Sequence, residues 1–591
     1  MRKAIVLALV VIAVLALGAA LIFGILAVAG VFGSGSVAGK TILELDLEQG
    51  LVEYIPEDPA AKLFMSDVLT IHDVVAALEK ARTDERVVGF YARIGSGGIG
   101  MAQAQELRDA VKKFRESGKP AFAFAETFGE YSPGNVGYYV ATAFDEIWLQ
   151  PSGDIGLTGF ALEGQFLRGT FDKLDIKPRM DQRYEYKNAM NQYTHTAFTE
   201  PHREAFFSLA DGWQKQMERG IAEGRKLDAA AVRGIVDRGP YLGQEAVAAG
   251  LVDGVAYRDE VLAKLRERTK QDKAGLLFVS KYLERGGRPW TEGRVIAIVN
   301  GSGPVVRGET AFDPLGGSTV MGSDTVAGAL RAAIEDEDVE AIVLRVDSPG
   351  GSYVASDTIW RETLRAKDAG KPLIVSMGDL AASGGYFVAM AADKIVAQPG
   401  TITGSIGVLG GKLLTTGLWN KLGVTFDEVH TAENALMFSS TQDYTEYGWQ
   451  RHQAWLDRVY ADFTGKVAEG RSIPIERVRE IAKGRVWTGE EAKKIGLVDE
   501  LGGLTRAIEL AREAAGIPAD DDIEARAFPR PKTLFEALSD KGAESSDPQA
   551  AIAIMRRAIE TMRPLVRLAE TAGVIGRPPQ VLEAPALPEP R

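Results

Sequence analysis

The sequence predicts an α/β protein of two tandem repeats that follow one N-terminal transmembrane helix. Self-similarity is the first observation behind this. Ala222-Glu223-Gly224-Arg225 recurs as Ala468-Glu469-Gly470-Arg471, and Gly250-Leu251-Val252-Asp253 recurs as Gly496-Leu497-Val498-Asp499, both at a shift of 246. Gly137-Tyr138-Tyr139-Val140-Ala141 matches Gly385-Tyr386-Phe387-Val388-Ala389 at 248, and Gly118-Lys119-Pro120 matches Gly370-Lys371-Pro372 at 252. A period this long belongs to duplicated domains, not to a short-period solenoid. The second observation is alternation of buried strand runs with amphipathic helical runs inside each copy, the pattern of βαβ units and a mainly parallel sheet. The third is a long apolar run at the N-terminus with no charged residue.

That run spans 4–32, behind Arg2 and Lys3. It exceeds the roughly 20 residues a membrane helix needs and the roughly 7–15 of a cleaved signal. Ala27-Val28-Ala29 resembles a small-residue cleavage site, but the length favours an uncleaved anchor. Positive charge stays in the cytoplasm, so the body is expected on the extracytoplasmic side of the membrane. Residues 1–38 are thus the anchor and a Gly-Ser linker, 39–266 the first repeat, 267–292 a linker, 293–520 the second repeat, and 521–591 a tail. The tail is acidic and Pro-rich. Its amphipathic helix candidate, 551–570, is expected to pack on a domain or a neighbouring subunit.

Within the second repeat, 294–300 and 341–346 read as strands, 325–335 and 356–369 as helices, and 372–377 as a strand leading into a helix over 386–392. Parallel sheets of this kind carry their sites in loops beyond the strand C-termini. Asp347-Ser348-Pro349-Gly350-Gly351 lies past one strand and the turn around Ser383 past the next. The chain length of 591 residues fits more than one core. A net charge of −13 with no basic cluster argues against nucleic acid. With 0 cysteines there is no thiol nucleophile or thiolate metal site. The 5 histidines stand in no metal-type spacing and in no glycine-rich context. No metal and no cofactor is expected, and no P-loop is present.

Ser383 stands among Ala381, Ala382, Gly384 and Gly385, at the mouth of a helix. One reading of such a serine is an N-cap. Its counterpart in the first repeat, at a shift of 248, is Asn135, which can also cap but has no hydroxyl. In the other direction, Lys187 of Tyr184-Glu185-Tyr186-Lys187-Asn188-Ala189-Met190 falls on Glu433 at a shift of 246. One copy holds a candidate serine and the other a candidate lysine. Complementary loss of this kind is expected where one site is built across two copies, although a lone lysine is ordinarily a solvated surface group. A serine hydroxyl needs a base, and burial makes a lysine easier to deprotonate. Gly350, Gly351 and Gly384 offer unobstructed amides for an oxyanion, although Pro-Gly-Gly is also a simple turn sequence.

The run DSPGG, then GDLAASGGY, then TGSIGV, with YKNAM in the first copy, resembles the signal peptide peptidase A family in its long, two-repeat bacterial form. The similarity covers about residues 1–520. It implies the crotonase/Clp-protease-like superfold in each repeat and a Ser/Lys-dyad serine protease. It implies Ser383 as nucleophile and Lys187 as general base, with Gly384 and Gly350 or Gly351 as the oxyanion hole. Ser405 would orient the lysine. It also implies a bowl-like homotetramer at the membrane and remnant signal peptides, cut within apolar segments, as substrates. Asp347 stands where the family usually has asparagine, and Phe387 replaces a second aromatic of varying type. The tail after 520 has no place in the family pattern. Two other readings are a crotonase-like acyl-CoA enzyme and a non-catalytic membrane scaffold. The extracytoplasmic body argues against the first, and labelling of Ser383 by a serine-directed acylating probe would exclude the second.

Overall fold

The computed structural model describes residues 35–56, 61, 65, 68–95, 97–313, 318–529 and 582–583. The expected anchor and the helix candidate at 551–570 lie outside the described residues. Among the described residues no helix is long and apolar enough to cross a membrane.

Each repeat forms its own sheet, and the two follow one order. The first sheet runs Gly254–Val255, Glu146–Leu149, Ala121–Ala125, Val87–Arg93, Thr41–Asp46, Gly275–Phe278, with every neighbouring pair parallel. The second runs Glu500–Leu501, Lys394–Ala397, Leu373–Ala382, Val339–Ser348, Arg294–Ser302, Ile523–Phe528, again all parallel. A branch leaves the long strand Leu373–Ala382, which also pairs with Ile402–Gly404, itself paired antiparallel with Val486–Thr488. Parallel strands need crossovers, and the crossover helices cover both faces. That is why the central strands read as unbroken apolar runs. Val343 packs on the helix Leu504–Ala514 side with Ile296 and Ile374. Its neighbours Ile342 and Leu344 enter the core on the opposite face.

The segment 267–292 is not a linker. Gly275–Phe278 pairs with Thr41–Asp46 as the edge of the first sheet, and the helix Val279–Gly286 buries Val279, Tyr282 and Leu283. Likewise Ile523–Phe528 pairs with Arg294–Ser302 and carries the second sheet past 520. Both are half-exposed edge strands, so neither presents the apolar run that marks a central strand. The strand expected at 372–377 continues through Ala382, and the helix after it is the short Gly384–Phe387.

The duplication extends to helix ends. The long helices Glu200–Arg225 and Glu446–Arg471 begin at Thr199 and Thr445, whose side chains accept from the amides of His202 and Gly448. A threonine cap of this kind satisfies one of the otherwise unpaired first-turn amides. Both helices end in left-handed residues, Lys226 and Ser472.

Many contacts join the repeats, and three of them bear on the site. The strand Lys177–Arg183 pairs antiparallel with Val408–Leu414, from Arg183 opposite Val408 to Lys177 opposite Leu414. The helix Met101–Arg115 has no cap from its own repeat. Asp379 of the second repeat supplies it, its carboxylate accepting from the amides of Ala102 at 2.7 Å and Gln103 at 3.1 Å. A carboxylate there also meets the positive end of the helix dipole. The third tie is Arg345, wholly buried in the second sheet. Its guanidinium donates to Glu53 Oε1 at 2.6 Å, Glu106 Oε2 at 2.8 Å and Ser376 Oγ at 2.7 Å. Glu53 and Glu106 both belong to the first repeat.

Candidate active site

The antiparallel ladder between the repeats sets the register of the site. Lys187 follows the strand Lys177–Arg183 by four residues, and Ser405 precedes Val408–Leu414 by three. Pairing of these strands therefore delivers Lys187 of the first repeat to Ser405 of the second. The amide of Tyr186 donates to the carbonyl of Lys483 at 3.2 Å and fixes the turn. Gly484 then lies against the Lys187 backbone: a Cβ on it would stand 2.5 Å from Lys187 Cβ. Only glycine permits that approach, and its φ of 83° is in the left-handed region.

Ser383 arrives from the long strand Leu373–Ala382. It is held at φ 57°, ψ −115°, a conformation costly for a residue with a Cβ. Its amide donates to the carbonyl of Gly404 at 2.8 Å, which locks the turn to the Ser405 loop. Ser383 takes the N-cap position of the helix Gly384–Phe387, but its hydroxyl makes no capping bond. The hydroxyl oxygen instead lies 2.7 Å from Lys187 Nζ, within hydrogen-bonding distance. Lys187 Nζ also lies 3.0 Å from Ser405 Oγ and 3.0 Å from the Ser405 carbonyl oxygen. All three residues have no exposed surface. They meet within one chain.

Asn135, in the first repeat, does not cap its helix either. Its Oδ1 accepts from the amides of Thr158 and Gly159, both at 3.0 Å, and its Nδ2 donates to the Gly159 carbonyl at 2.9 Å. The carboxamide thus cross-links the turn to the first repeat's counterpart of the Ser405 loop.

The glycine loop lies beside Ser383. Gly350 and Gly351 have φ of 96° and 154°, and form a two-residue strand, with Gly351 pairing with Val305. A Cβ on Gly384 would stand 3.0 Å from the amide nitrogen of Gly351, so the two backbones are close neighbours. Gly350 differs from Gly351: its amide donates to Ser348 Oγ at 3.1 Å and is already used. His202 is buried among Phe166, Phe198 and Phe206, and burial lowers its pKa to about 4.

Behind the glycine loop lies a cluster of charges that sequence reasoning did not single out, apart from Asp347. Burial raises the Asp347 carboxyl to about 8, with Glu53 and Asp379 adding to the shift; the Leu380 amide, donating to its Oδ1 at 2.9 Å, pulls the other way. Burial also raises Asp379 to about 6, against the pull of the Gln103 and Ala102 amides. Burial opposes ionisation of Glu53, yet Arg345 and His72 beside it hold its carboxyl well below the usual range. Arg345 is held charged in spite of its burial by Glu106 and Glu53. The only signal for these residues is their type, a charged residue inside an apolar strand run, as in AIVLRVDS.

Folded Asp347 holds a proton that the unfolded chain releases near pH 4, so its contribution to stability falls as pH rises from about 4 to about 8. Asp347→Asn removes that loss. The variant is expected to gain about 1–2 kcal/mol over the parent at pH 8 and little at pH 4, read by urea unfolding at the two pH values. An equal difference at both would show that Asp347 is not the titrating group.

The profile of peptidase family S49 matches residues 113–272 and 365–518. The chain is 31% identical over 471 residues to the chloroplastic serine protease SPPA of Arabidopsis thaliana, covering 78% of this chain and 68% of that one. It is 33% identical over 458 residues to protease 4 of Salmonella typhi, covering 76% and 72%. A protein of Enterococcus faecium described as a putative signal peptide peptidase SppA is 36% identical over 180 residues, covering 30% of this chain and 52% of that one.

Proposed function

The chain belongs to peptidase family S49 and is a serine protease, and on that premise we propose that it cuts apolar peptides, remnant signal peptides among them, with a Ser383/Lys187 dyad built across its two repeats. The observation that carries this is the 2.7 Å approach of Lys187 Nζ to Ser383 Oγ, with Ser405 on the other side of the amine. A neutral amine has two N–H donors and one lone pair. Two donors match the two Ser405 oxygens, which leaves the lone pair for the Ser383 hydroxyl proton. As Ser383 Oγ bonds to the scissile carbonyl carbon, that proton passes to Lys187. The oxyanion takes hydrogen bonds from Gly351 and Gly384. Lys187 then returns the proton to the leaving amine, and a water deprotonated by Lys187 releases the acyl group. Gly350, whose amide serves Ser348, holds the loop rather than the oxyanion.

The wider reading also belongs to this proposal. The two repeats are crotonase/Clp-protease-like domains, a reading supported by their matching parallel sheets. The apolar run at 4–32 anchors the chain in a bacterial inner membrane with its catalytic body on the extracytoplasmic side, where four copies assemble as a bowl-like homotetramer. No nucleotide is consumed. The name of the Enterococcus faecium relative and the motif resemblance support signal peptides as the substrate class.

Hydrolysis of an apolar peptide ester by the full chain in detergent tests the assignment. Gly384→Ala puts a methyl 2.7 Å from Ser356 Oγ and 3.0 Å from the Gly351 amide nitrogen. Alanine keeps the N–H but pushes the Gly384 and Gly351 amides out of place, and it is expected to lower kcat by up to roughly 10²–10³-fold, the effect of an oxyanion donor that no longer reaches its oxygen, with KM little changed. Unchanged kcat in a folded variant would remove Gly384 from the reaction.

A further inference from the structure

The described residues include one strand that belongs to neither repeat. Leu582–Glu583, near the C-terminus, pairs antiparallel with the glycine loop, Glu583 opposite Gly350 and Leu582 opposite Gly351. It also lies against Val408–Leu414, the strand that follows the Ser405 loop. One of these strands is the glycine loop beside Ser383, and the other follows the Ser405 loop.

The edge it occupies matters for the chemistry. On the other side of the glycine loop, the Ser352 amide donates to the Val305 carbonyl at 2.8 Å. Backbone groups of successive strand residues point to opposite edges. Gly351, next to Ser352, therefore turns its own N–H and C=O away from Val305 and toward Leu582–Glu583. That N–H is the one assigned above to the oxyanion. A peptide whose carbonyl is to meet it must lie where the 582–583 strand lies. Ser383 has no exposed surface, so a peptide reaches its hydroxyl only after something moves. Residues 581–587, Val-Leu-Glu-Ala-Pro-Ala-Leu, are mostly small and apolar, the peptide type proposed as substrate.

We propose that the C-terminal strand is a built-in competitor for the substrate groove. Seated on Gly350–Gly351, it takes the edge that a peptide needs; displaced, it opens that edge. This rests on the dyad reading of the site. The device makes activity depend on the tail: anything that holds the tail elsewhere, such as its own binding to another surface, raises activity on short peptides. Long apolar substrates compete with the strand better than short ones, because they make more contacts along the groove.

The test uses the full chain carrying Leu582→Pro and Glu583→Pro together. Proline removes the backbone donor and cannot continue a ladder. A competitor seated for most of the time raises apparent KM by the inverse of the fraction of open molecules. KM for a short apolar peptide ester is expected to fall about threefold to tenfold in the variant, with kcat unchanged. A synthetic peptide of residues 578–587 is expected to inhibit the variant competitively. Amide hydrogen exchange at Gly351 is expected to quicken in the variant. This last readout needs no turnover, so it still reports the strand if the dyad reading fails. Unchanged KM overturns the proposal, whether Gly351 exchange stays slow or quickens. In the second case the strand is seated but does not compete.

Discussion

Ser383→Ala, Lys187→Met and the double variant are expected to lose peptide-ester hydrolysis to one common floor, with kcat lower by about 10⁴-fold or more in each. Groups that act as a unit give this non-additive result, because the second deletion removes nothing the first has left working. Methionine is the informative replacement for Lys187. It keeps the volume of the buried side chain while removing a polar group that sits at zero exposure. Burying such a group costs stability, so Lys187→Met is expected to melt no lower than the parent. Loss of activity with stability kept or gained is what a catalytic residue gives, and a purely structural lysine would show the reverse. A double variant much slower than either single would mean that the two side chains act independently.

Arg345→Met is expected to destabilise the protein by about 3–5 kcal/mol, the usual effect of removing one member of a buried charge cluster. Arg345 is the positive charge to which Glu53 and Glu106 are bonded, at 2.6 and 2.8 Å. Without it, two carboxylates of the first repeat face the core of the second. Arg345→Lys is expected to recover little, because one ammonium cannot span three acceptors arranged around a planar guanidinium. Adding Glu53→Gln and Glu106→Gln to Arg345→Met is expected to restore most of the loss. Urea unfolding followed by circular dichroism checks this, and a loss below about 1 kcal/mol would show that the cluster is not a tie between the repeats. Activity is expected to fall with stability here, since Arg345 stands on the strand that leads to the glycine loop while Lys187 comes from the other repeat.

The parts of this molecule legible in the sequence are those with a local or a repeated signal. Duplication shows as matched tetrapeptides, and the sheet order of one repeat reproduces that of the other. The juxtaposition of Ser383 with Lys187 is legible only because the copies have lost different things. Neither periodicity nor spacing relates two residues so far apart in the chain. The edge strands Gly275–Phe278 and Ile523–Phe528 escape notice because half-exposed edges carry no continuous apolar run. Asp379 escapes because it caps a helix of the other repeat, so no capping signal lies next to that helix. Gly484 is a lone glycine whose need for small size comes from the Lys187 backbone. The pairing of Leu582–Glu583 with the glycine loop joins the tail to a turn more than two hundred residues earlier, and two residues hold no pattern. The hydroxyl of Ser383 is a further lesson. Its place at a helix N-terminus suggested a cap, but the backbone at φ 57° turns the side chain to Lys187 instead.

The measurement that tests the dyad most directly is the site and rate of acylation by a serine-directed active-ester probe, read by mass spectrometry of the digested full chain. The account predicts one adduct, on Ser383, and its loss in Lys187→Met although Ser383 is still present. An adduct on another residue, or equal labelling of Ser383 with and without Lys187, would contradict it.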